Sequence, residues 1–550
     1  MSNKIYIKQV NIENFKCFKG NFNLPLNEGL NIIVGDNEAG KSTILEAIHL
    51  ALTGLLNGRY LKNELTQYLF NHEVVDEYIK KANTGDNPPL PYILIEVIIA
   101  GEDLSKFEGD NNFEGKKECG ISFKIGFDDK YKPEYEEFIK NGDIKTIPIE
   151  YYDIFWTSCA RDNITARSIP IKSALIDSSS NHYENGSDIY ISRIIKDNLE
   201  EKDKVNISQA YRRMVDSFMC DNSVKEISKK IKTDANISTK RVELSVGLSS
   251  KNSWESSLMT YFDDIPFHYI GKGEQCIVKT KLALSHKKSQ EANILLLEEP
   301  ENHLSHTKLN QLINEIKESN SEKQIIVSTH SSFVANKLGL GNLILLNNKK
   351  TVRLNNLNDD TKIFFEKLSG YDTLRLILCQ KAILVEGDSD ELIIQKAFLI
   401  QNGMLPIECN KGIDVISVGT TFLRFLEIAK EIDKSVVVVT DNDGKPDGVK
   451  NKYTDYLGEN AKDSIKICFD EDVDTGVLEI DGKAFNYNTL EPKMLKANSL
   501  DSLNKIFGTN YQNTDDLHKY MHAKKTECAL KIFETKEIVK FPKYIQDAIA

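Results

Sequence analysis

The chain has 550 residues, of which 40% are hydrophobic and 28% charged, ample for two or three domains with separate cores and too apolar for bulk disorder. A net charge of -12 speaks against a surface coated for nucleic acid, although a local basic groove fits within that average, and no run of about 18 apolar residues offers a membrane span. The start MSNKIYIKQV has no apolar stretch of signal-peptide type, and the nine cysteines form neither a C-x-x-C pair nor a cluster with histidine, so the expectation is a cytoplasmic protein with buried thiols, without zinc or disulfides.

Residues 4–10 and 29–34 read as strands around a polar, hairpin-like segment. The second strand runs into Gly35-Asp-Asn-Glu-Ala-Gly40-Lys41-Ser42-Thr43 and then into an apolar helix, the order that G-x-x-x-x-G-K-[ST] requires. Glycines there let several backbone N–H groups face one phosphate at a helix N-terminus that already favours negative charge. The expected ATP contacts are Asn37, Gly40, Lys41, Ser42 and Thr43, with Lys41 on the β/γ-phosphates and Ser42 on Mg²⁺.

Residues 92–100 and 121–127 read as strands of an antiparallel lobe, joined by a charged, glycine-rich connection. From Asp188 to Thr239, Ile191, Ile194, Ile195, Leu199, Met214, Phe218, Val224, Ile227 and Ile231 recur at helical intervals. That stretch is expected to be an inserted helical arm, either self-associating or packed on the body. Tyr269 to Gln275, YIGKGEQ, reads as a glycine-rich turn before a helix beginning near Cys276. A buried strand from Asn293 then ends in Glu298-Glu299-Pro300, where Glu298 is the candidate for the metal side and Glu299 for orienting or deprotonating water. One more strand, from Gln324, ends at His330.

Loop, GKGEQ, LLLEEPENHLS and STHS, in that order over residues 4 to about 346, resemble the ABC-type ATPases. The resemblance implies paired heads, with Gly271, Gly273 and Gln275 of one capping ATP held by the other, and His330 as a switch histidine. The chain departs from the transporter pattern in having GKGEQ for LSGGQ and Glu298 where aspartate is usual. Those departures resemble the branch of SMC and RecF-like proteins, which work on DNA, although no long heptad-bearing arm interrupts the head.

Further on, the apolar run Ile383-Leu-Val385 ends in Glu386-Gly387, and Ser435 to Thr440 ends in Asp441-Asn-Asp443-Gly444. Loops at the carboxyl ends of parallel strands are where open α/β sheets bind ligands, so two acidic strand ends suggest one metal site. Acids at turns also serve as ordinary turn formers, and Asp441 and Asp443 are open to that reading. LVEGDSDE, ISVGTTF and VVVTDND resemble a Toprim domain, with Glu386 matching its glutamate and Asp441 and Asp443 its DxD. An ABC-type ATPase followed by Toprim is similar to the OLD (overcoming lysogenization defect) nucleases, a family that includes the nuclease subunit of the Gabija antiphage system. By that resemblance Asp390, less surely Glu391, and Glu491 bind a second metal, and Lys525, or its neighbour Lys524, assists phosphate cleavage. Either lysine reads equally as a solvated helix-face charge, and Glu491 as a helix N-terminal acid.

The expected fold class is α/β. An ABC-type ATPase head at 1–185 and 241–375 carries an inserted helical dimerisation arm at 186–240, and a Toprim domain with a Rossmann-like parallel sheet follows at 376–550. The expected function is an ATP-regulated endonuclease acting on double-stranded DNA with Mg²⁺ or Mn²⁺, in antiphage defence. Self-association would run through heads and arm, alongside a helicase or reverse-transcribing partner. The alternative is an ATP-gated DNA sensor or repair clamp whose Toprim fold does not cut.

Overall fold

A computed structural model describes residues 4–57, 59–84, 88–140, 144–177, 183–184, 187–188, 199–235, 261–285, 293–302, 304–319, 323–347, 350–409 and 412–550. The chain forms two compact units, residues 1–329 with 348–350, and residues 330–347 with 351–550. The expected junction at 375 and 376 falls inside the helix Thr373–Leu378 of the second unit, whereas the expected boundary at 240 and 241 lies outside the described residues.

In the first unit, β1 (Tyr6–Glu13), β2 (Asn21–Pro25), β4 (Ile93–Ala100), β5 (Glu118–Phe127) and β6 (Tyr152–Ser158) pair antiparallel in the order β2-β1-β4-β5-β6. β3 (Leu30–Gly35), β7 (Ser173–Asp177), β8 (Ile294–Glu298) and β9 (Gln324–Ser328) pair parallel in the order β7-β8-β9-β3. Both β3 and β9 are buried along their whole length, so neither shows the apolar and polar alternation of a half-exposed strand. Gln324 ties the two sheets: its buried amide accepts from Ile7 N at 2.8 Å and donates to the carbonyls of Ile7 at 2.8 Å and Asn27 at 2.7 Å. α1 (Lys41–Thr53) follows β3, and Ile44, Leu45, Ile48 and Leu52 bury its apolar stripe.

The helical arm is present as α2 (Glu201–Cys220) and α3 (Asn222–Ala235), which contact each other. Val215 and Val224 are buried, while Met214, Phe218 and Ile227 are exposed. Ile191, Ile194 and Ile195 lie outside the described residues. The helix expected from Cys276 begins earlier, as α4 (Lys272–Ser285), because the N–H groups of Glu274 and Gln275 both donate to Gly271 O at 3.0 Å. Gly273 and Gln275 thereby stand in a first helical turn.

The second unit holds α5 (Thr373–Leu378) and a fully parallel sheet of β10 (Lys381–Val385), β11 (Ile413–Ser417), β12 (Ser435–Val439) and β13 (Ile465–Cys468), ordered β11-β10-β12-β13. Registers Leu384 to Val438 and Val439 to Cys468 bring Glu386, Asp441 and Asp470 out at one edge. α6 (Asp388–Asn402), α7 (Leu490–Ala497), α8 (Lys525–Glu534) and α9 (Lys543–Ile549) join one core with the sheet, in which Ile394, Phe398, Met494, Ile532 and Ile545 are buried. Burial of such side chains contributes roughly 1.5–3 kcal/mol each. Among the described residues no helix is long and apolar enough to cross a membrane. Of the described cysteines Cys159, Cys468 and Cys528 are buried, with burial pushing each thiol up to about 11, whereas Cys220 is exposed, so the expectation of uniformly buried thiols does not hold.

Candidate functional site

The nucleotide loop is shaped by its backbone. Gly40 has φ +102°, and a Cβ there would meet Phe18 Cζ at 2.6 Å and Cys17 Sγ at 2.8 Å, so only glycine fits before α1. Lys41 is buried, and its ammonium donates to the carbonyls of Gly35 and Asp36, each at 2.9 Å. Burial lowers its pKa, against the attraction of Glu299, Asp36, Glu301 and Glu298 in that order. Asn37 and Ser42 are exposed, and Thr43 is half-buried, its hydroxyl oxygen accepting from Cys17 Sγ at 3.7 Å.

Those acids arrive because β7, β8, β9 and β3 end together: Glu298 is level with Ser328, and Ser328 with Ile33. Glu299 holds a left-handed φ of 41°, rare for a residue with a side chain and a form of strain that concentrates at working sites. Its N–H donates to Ser328 O at 3.0 Å and its carboxylate accepts from Asn302 Nδ2 at 2.8 Å. Glu301, which sequence reading passed over, accepts from Thr329 Oγ1 at 2.5 Å and adds to the field on Lys41. Its signal was the third acid of EEPE. His330 is exposed and precedes the N-cap Ser331 of a helix at 332–338. Gln275 is buried and donates to Ile270 O at 2.9 Å, while a Cβ at Gly271 would meet open space.

In the second unit Glu386 is exposed just beyond β10. Asp390 reaches back from the first turn of α6 to accept from Gly387 N at 3.1 Å. Burial pushes the Asp390 carboxyl up to about 6, with Glu491 and Glu386 adding to the rise. Burial likewise raises Asp441 well above the usual carboxylate range, reinforced by Asp390, Glu491 and Glu386. Asp441 Oδ2 accepts from Leu490 N at 3.2 Å, which fixes the start of α7 and thus Glu491 against it. The buried Glu491 accepts from Thr489 Oγ1 at 3.2 Å and pairs with Lys525 Nζ at 3.3 Å. Asp443, at φ 48°, is exposed and accepts from Asn486 Nδ2 at 2.8 Å. Asp390, Asp441, Glu491 and Glu386 therefore share one electrostatic neighbourhood, with Asp443 at its exposed margin.

Two residues left open by the sequence take separate positions. Glu391 faces Arg375 at 3.8 Å, while Arg375 holds Asp414 through two bonds of 2.9 and 2.7 Å. Lys524 pairs with Glu527 at 2.9 Å and lies over the Tyr520 ring, so Lys525 is the lysine turned to the acids. Tyr544, which no motif announced, is buried; burial raises its hydroxyl pKa far upward, and Asp441 and Asp390 add to the shift.

Among the described residues no three His, Cys, Asp or Glu side chains converge into a preassembled metal cage. The donor chemistry nevertheless fits Mg²⁺ or Mn²⁺: all candidates are hard carboxylate oxygens, and Asp390 and Asp441 are destabilised as anions by burial and by the neighbouring acids. A cation drawing these acids together would relieve that repulsion.

Residues 6–335 match the AAA ATPase domain family, and residues 377–443 match the TOPRIM domain described as overcoming lysogenization defect protein-like. Chromosome partition protein Smc of Synechocystis sp. is 29% identical over 111 residues, 20% of this chain and 9% of that protein. Its namesake from Synechococcus sp. is 37% identical over 67 residues, 12% of this chain and 6% of that protein. The chain thus spans about a tenth or less of the length of the curated relatives it matches. Among solved structures, an Smc head bound to the C-terminal winged-helix domain of ScpA has TM-score 0.32 and 16% identity, covering 63% of this chain and 96% of that one. The recombination mediator RecF with ATP has TM-score 0.31 and 12% identity, covering 63% and 99%. With the phosphate loop inside the first family match, and Glu386, Asp390, Asp441 and Asp443 inside the second, the chain belongs to the AAA ATPase domain family and is an OLD-type fusion of that ATPase with a Toprim domain.

Proposed function

We propose that this chain is an ATP-regulated, divalent-metal-dependent DNA endonuclease serving defence against phage or other foreign DNA. The observation that carries this reading is the gathering of Glu386, Asp390, Asp441 and Glu491 within mutual electrostatic reach, beside Lys525. Glu386, Asp390, Asp441, Asp443 and Glu491 would hold two Mg²⁺ or Mn²⁺ ions, which supply charge neutralisation at a phosphodiester and a more acidic water. Lys525, half-exposed above Glu491, would meet charge developing on a phosphate oxygen.

In the ATPase unit Lys41 would exchange the carbonyls of Gly35 and Asp36 for the β/γ-phosphates of ATP, with Ser42 and Glu298 on the Mg²⁺ side. Glu299 would take the proton of the attacking water, and His330 would report on the terminal phosphate. Gly271, Gly273 and Gln275 would cap the nucleotide of a second copy. The exposed Met214, Phe218 and Ile227 of the helical arm would bury apolar area in the same self-association. Double-stranded DNA is the substrate in this account, and a helicase or reverse-transcribing element the partner.

Supercoiled plasmid incubated with Mg²⁺ or Mn²⁺, with and without ATP, tests the reading: nicked or linear product is expected. Intact plasmid under every condition would favour the second reading, an ATP-gated DNA sensor or clamp, which the stretches of sequence shared with Smc support.

A further inference from the structure

The two carriers of the acid cluster, the turn 441–443 and the start of α7, are not bonded only through Leu490 N. Between them runs the acidic loop Asp470-Glu-Asp-Val-Asp474, which leaves β13 at the same sheet edge. From one side Asn442, 2% exposed and lying between Asp441 and Asp443, donates its amide to the carbonyls of Asp470 at 2.5 Å and Asp472 at 3.0 Å. From the other side Lys493, 3% exposed and two residues after Glu491, donates to Asp472 O at 2.9 Å. Its ammonium also pairs with the carboxylates of Asp470 and Asp474, each at 2.7 Å. Asp472 O is thus shared by both anchors. Asn488 closes the far end, accepting from Asp474 N at 2.7 Å and donating to its carbonyl at 2.8 Å.

We infer that Lys493 and Asn442 are positioning residues, which use the loop 470–474 as a strut to hold the turn of Asp441 and Asp443 in register with Glu491. Four acids packed in five residues would otherwise repel one another and compete for cations. The Lys493 ammonium sits between Asp470 and Asp474, so these two serve as anchors while Glu491, which faces Lys525, and the acids beside it remain available. A buried ammonium with two carboxylates and a carbonyl at hydrogen-bond distance has little freedom to move, which transmits a fixed spacing to both carriers. Groups that orient metal ligands in this way typically change metal affinity by about 10- to 100-fold when removed.

This inference rests on the reading of the carboxylates as a metal site, and its test separates the two. Lys493→Met alone would strip the half-buried Asp470 and Asp474 of the ammonium between them, leaving Asp474 with Lys496, so the informative variant is Lys493→Met/Asp470→Asn/Asp474→Asn, in which these charges leave together and stability is largely retained. Mn²⁺ binding to the full chain is measured by electron paramagnetic resonance, counting the sites lost in Glu386→Ala, together with the melting temperature. The expected result is a triple variant that melts close to wild type but whose Glu386-dependent Mn²⁺ dissociation constant rises about tenfold or more. Asn442→Ala, which severs the other anchor without unpairing a charge, is expected to shift the constant in the same direction and serves if the triple variant does not fold. Unchanged Mn²⁺ affinity in a folded variant overturns the strut while leaving the metal site intact. Wild type without Glu386-dependent Mn²⁺ binding overturns the metal-site reading itself, and the strut with it.

Discussion

The phosphate loop and the acid cluster both sit where parallel strands end, yet they are built in opposite ways. At Gly35 to Lys41 the backbone is the device: a left-handed Gly40, a crowded approach by Phe18 and Cys17, and a lysine tied to two loop carbonyls. At Glu386 to Glu491 side chains from separate segments are the device, and their charges oppose one another. A backbone site is specified by a contiguous stretch of sequence and keeps its shape through one residue's φ. A side-chain site depends on registers, caps and struts set far apart in the chain, which makes it sensitive to substitutions that touch none of its acids.

The largest effect that would sharpen this contrast is expected at Glu299. Glu299→Gln should retain ATP but lower turnover by about 10²-fold or more, because general-base assistance contributes on that scale. Bound nucleotide and phosphate release in the purified variant measure both, and ordinary hydrolysis would remove Glu299 from its role. Lys41→Ala follows, with nucleotide affinity falling by about 2–3 kcal/mol through loss of a charge-assisted phosphate contact. Calorimetric titration with a non-hydrolysable ATP analogue reads this, and unchanged affinity would break the account of the loop.

For the side-chain site the contrast predicts a pH effect in the absence of metal. Asp390 is raised to about 6 from an ordinary value of 3.8, so between those values the folded protein keeps a proton that the unfolded chain has released. Its contribution to stability is present below about pH 4 and lost as pH rises through about 6, costing up to about 3 kcal/mol. Asp390→Asn, neutral throughout, should therefore gain stability relative to wild type between pH 4.5 and pH 7.5 in chelator. Parallel thermal melts at both values would show it, and equal losses in the two proteins would contradict the desolvated cluster. The smallest effects separate neighbours: Lys525→Ala should slow plasmid cleavage about tenfold or more, whereas Lys524→Ala, which loses only a surface pair with Glu527, should change it less than about twofold. Equal slowing by the two would deny that orientation towards Glu491 matters.

The same contrast explains what was legible in the sequence. Glycine spacing and a strand-to-helix switch announced the loop, and the apolar runs 294–297 and 435–439 announced buried parallel strands ending in acids. The start of α4 was misplaced because a helix N-terminus is decided by which N–H groups find Gly271 O, which composition does not encode. Lys524 and Lys525 are equivalent as letters, and only the phase of α8 turns one to Glu491. Glu391 reads as one more acid beside Asp390 until α5 brings Arg375 against it. Lys493 and the acids of 470–474 carried no motif, because their pairing depends on α7 returning to the end of β13 across a long intervening segment.

The most direct test of the central claim is a time course of supercoiled plasmid cleavage by wild type and Glu386→Ala at equal concentration, in Mn²⁺ and in Mg²⁺. The account predicts nicked and linear product from wild type and a rate at least about 10²-fold lower from Glu386→Ala, since that carboxylate, just beyond the carboxyl end of β10, would be one of the metal ligands. Cleavage by both proteins at the same rate would contradict it.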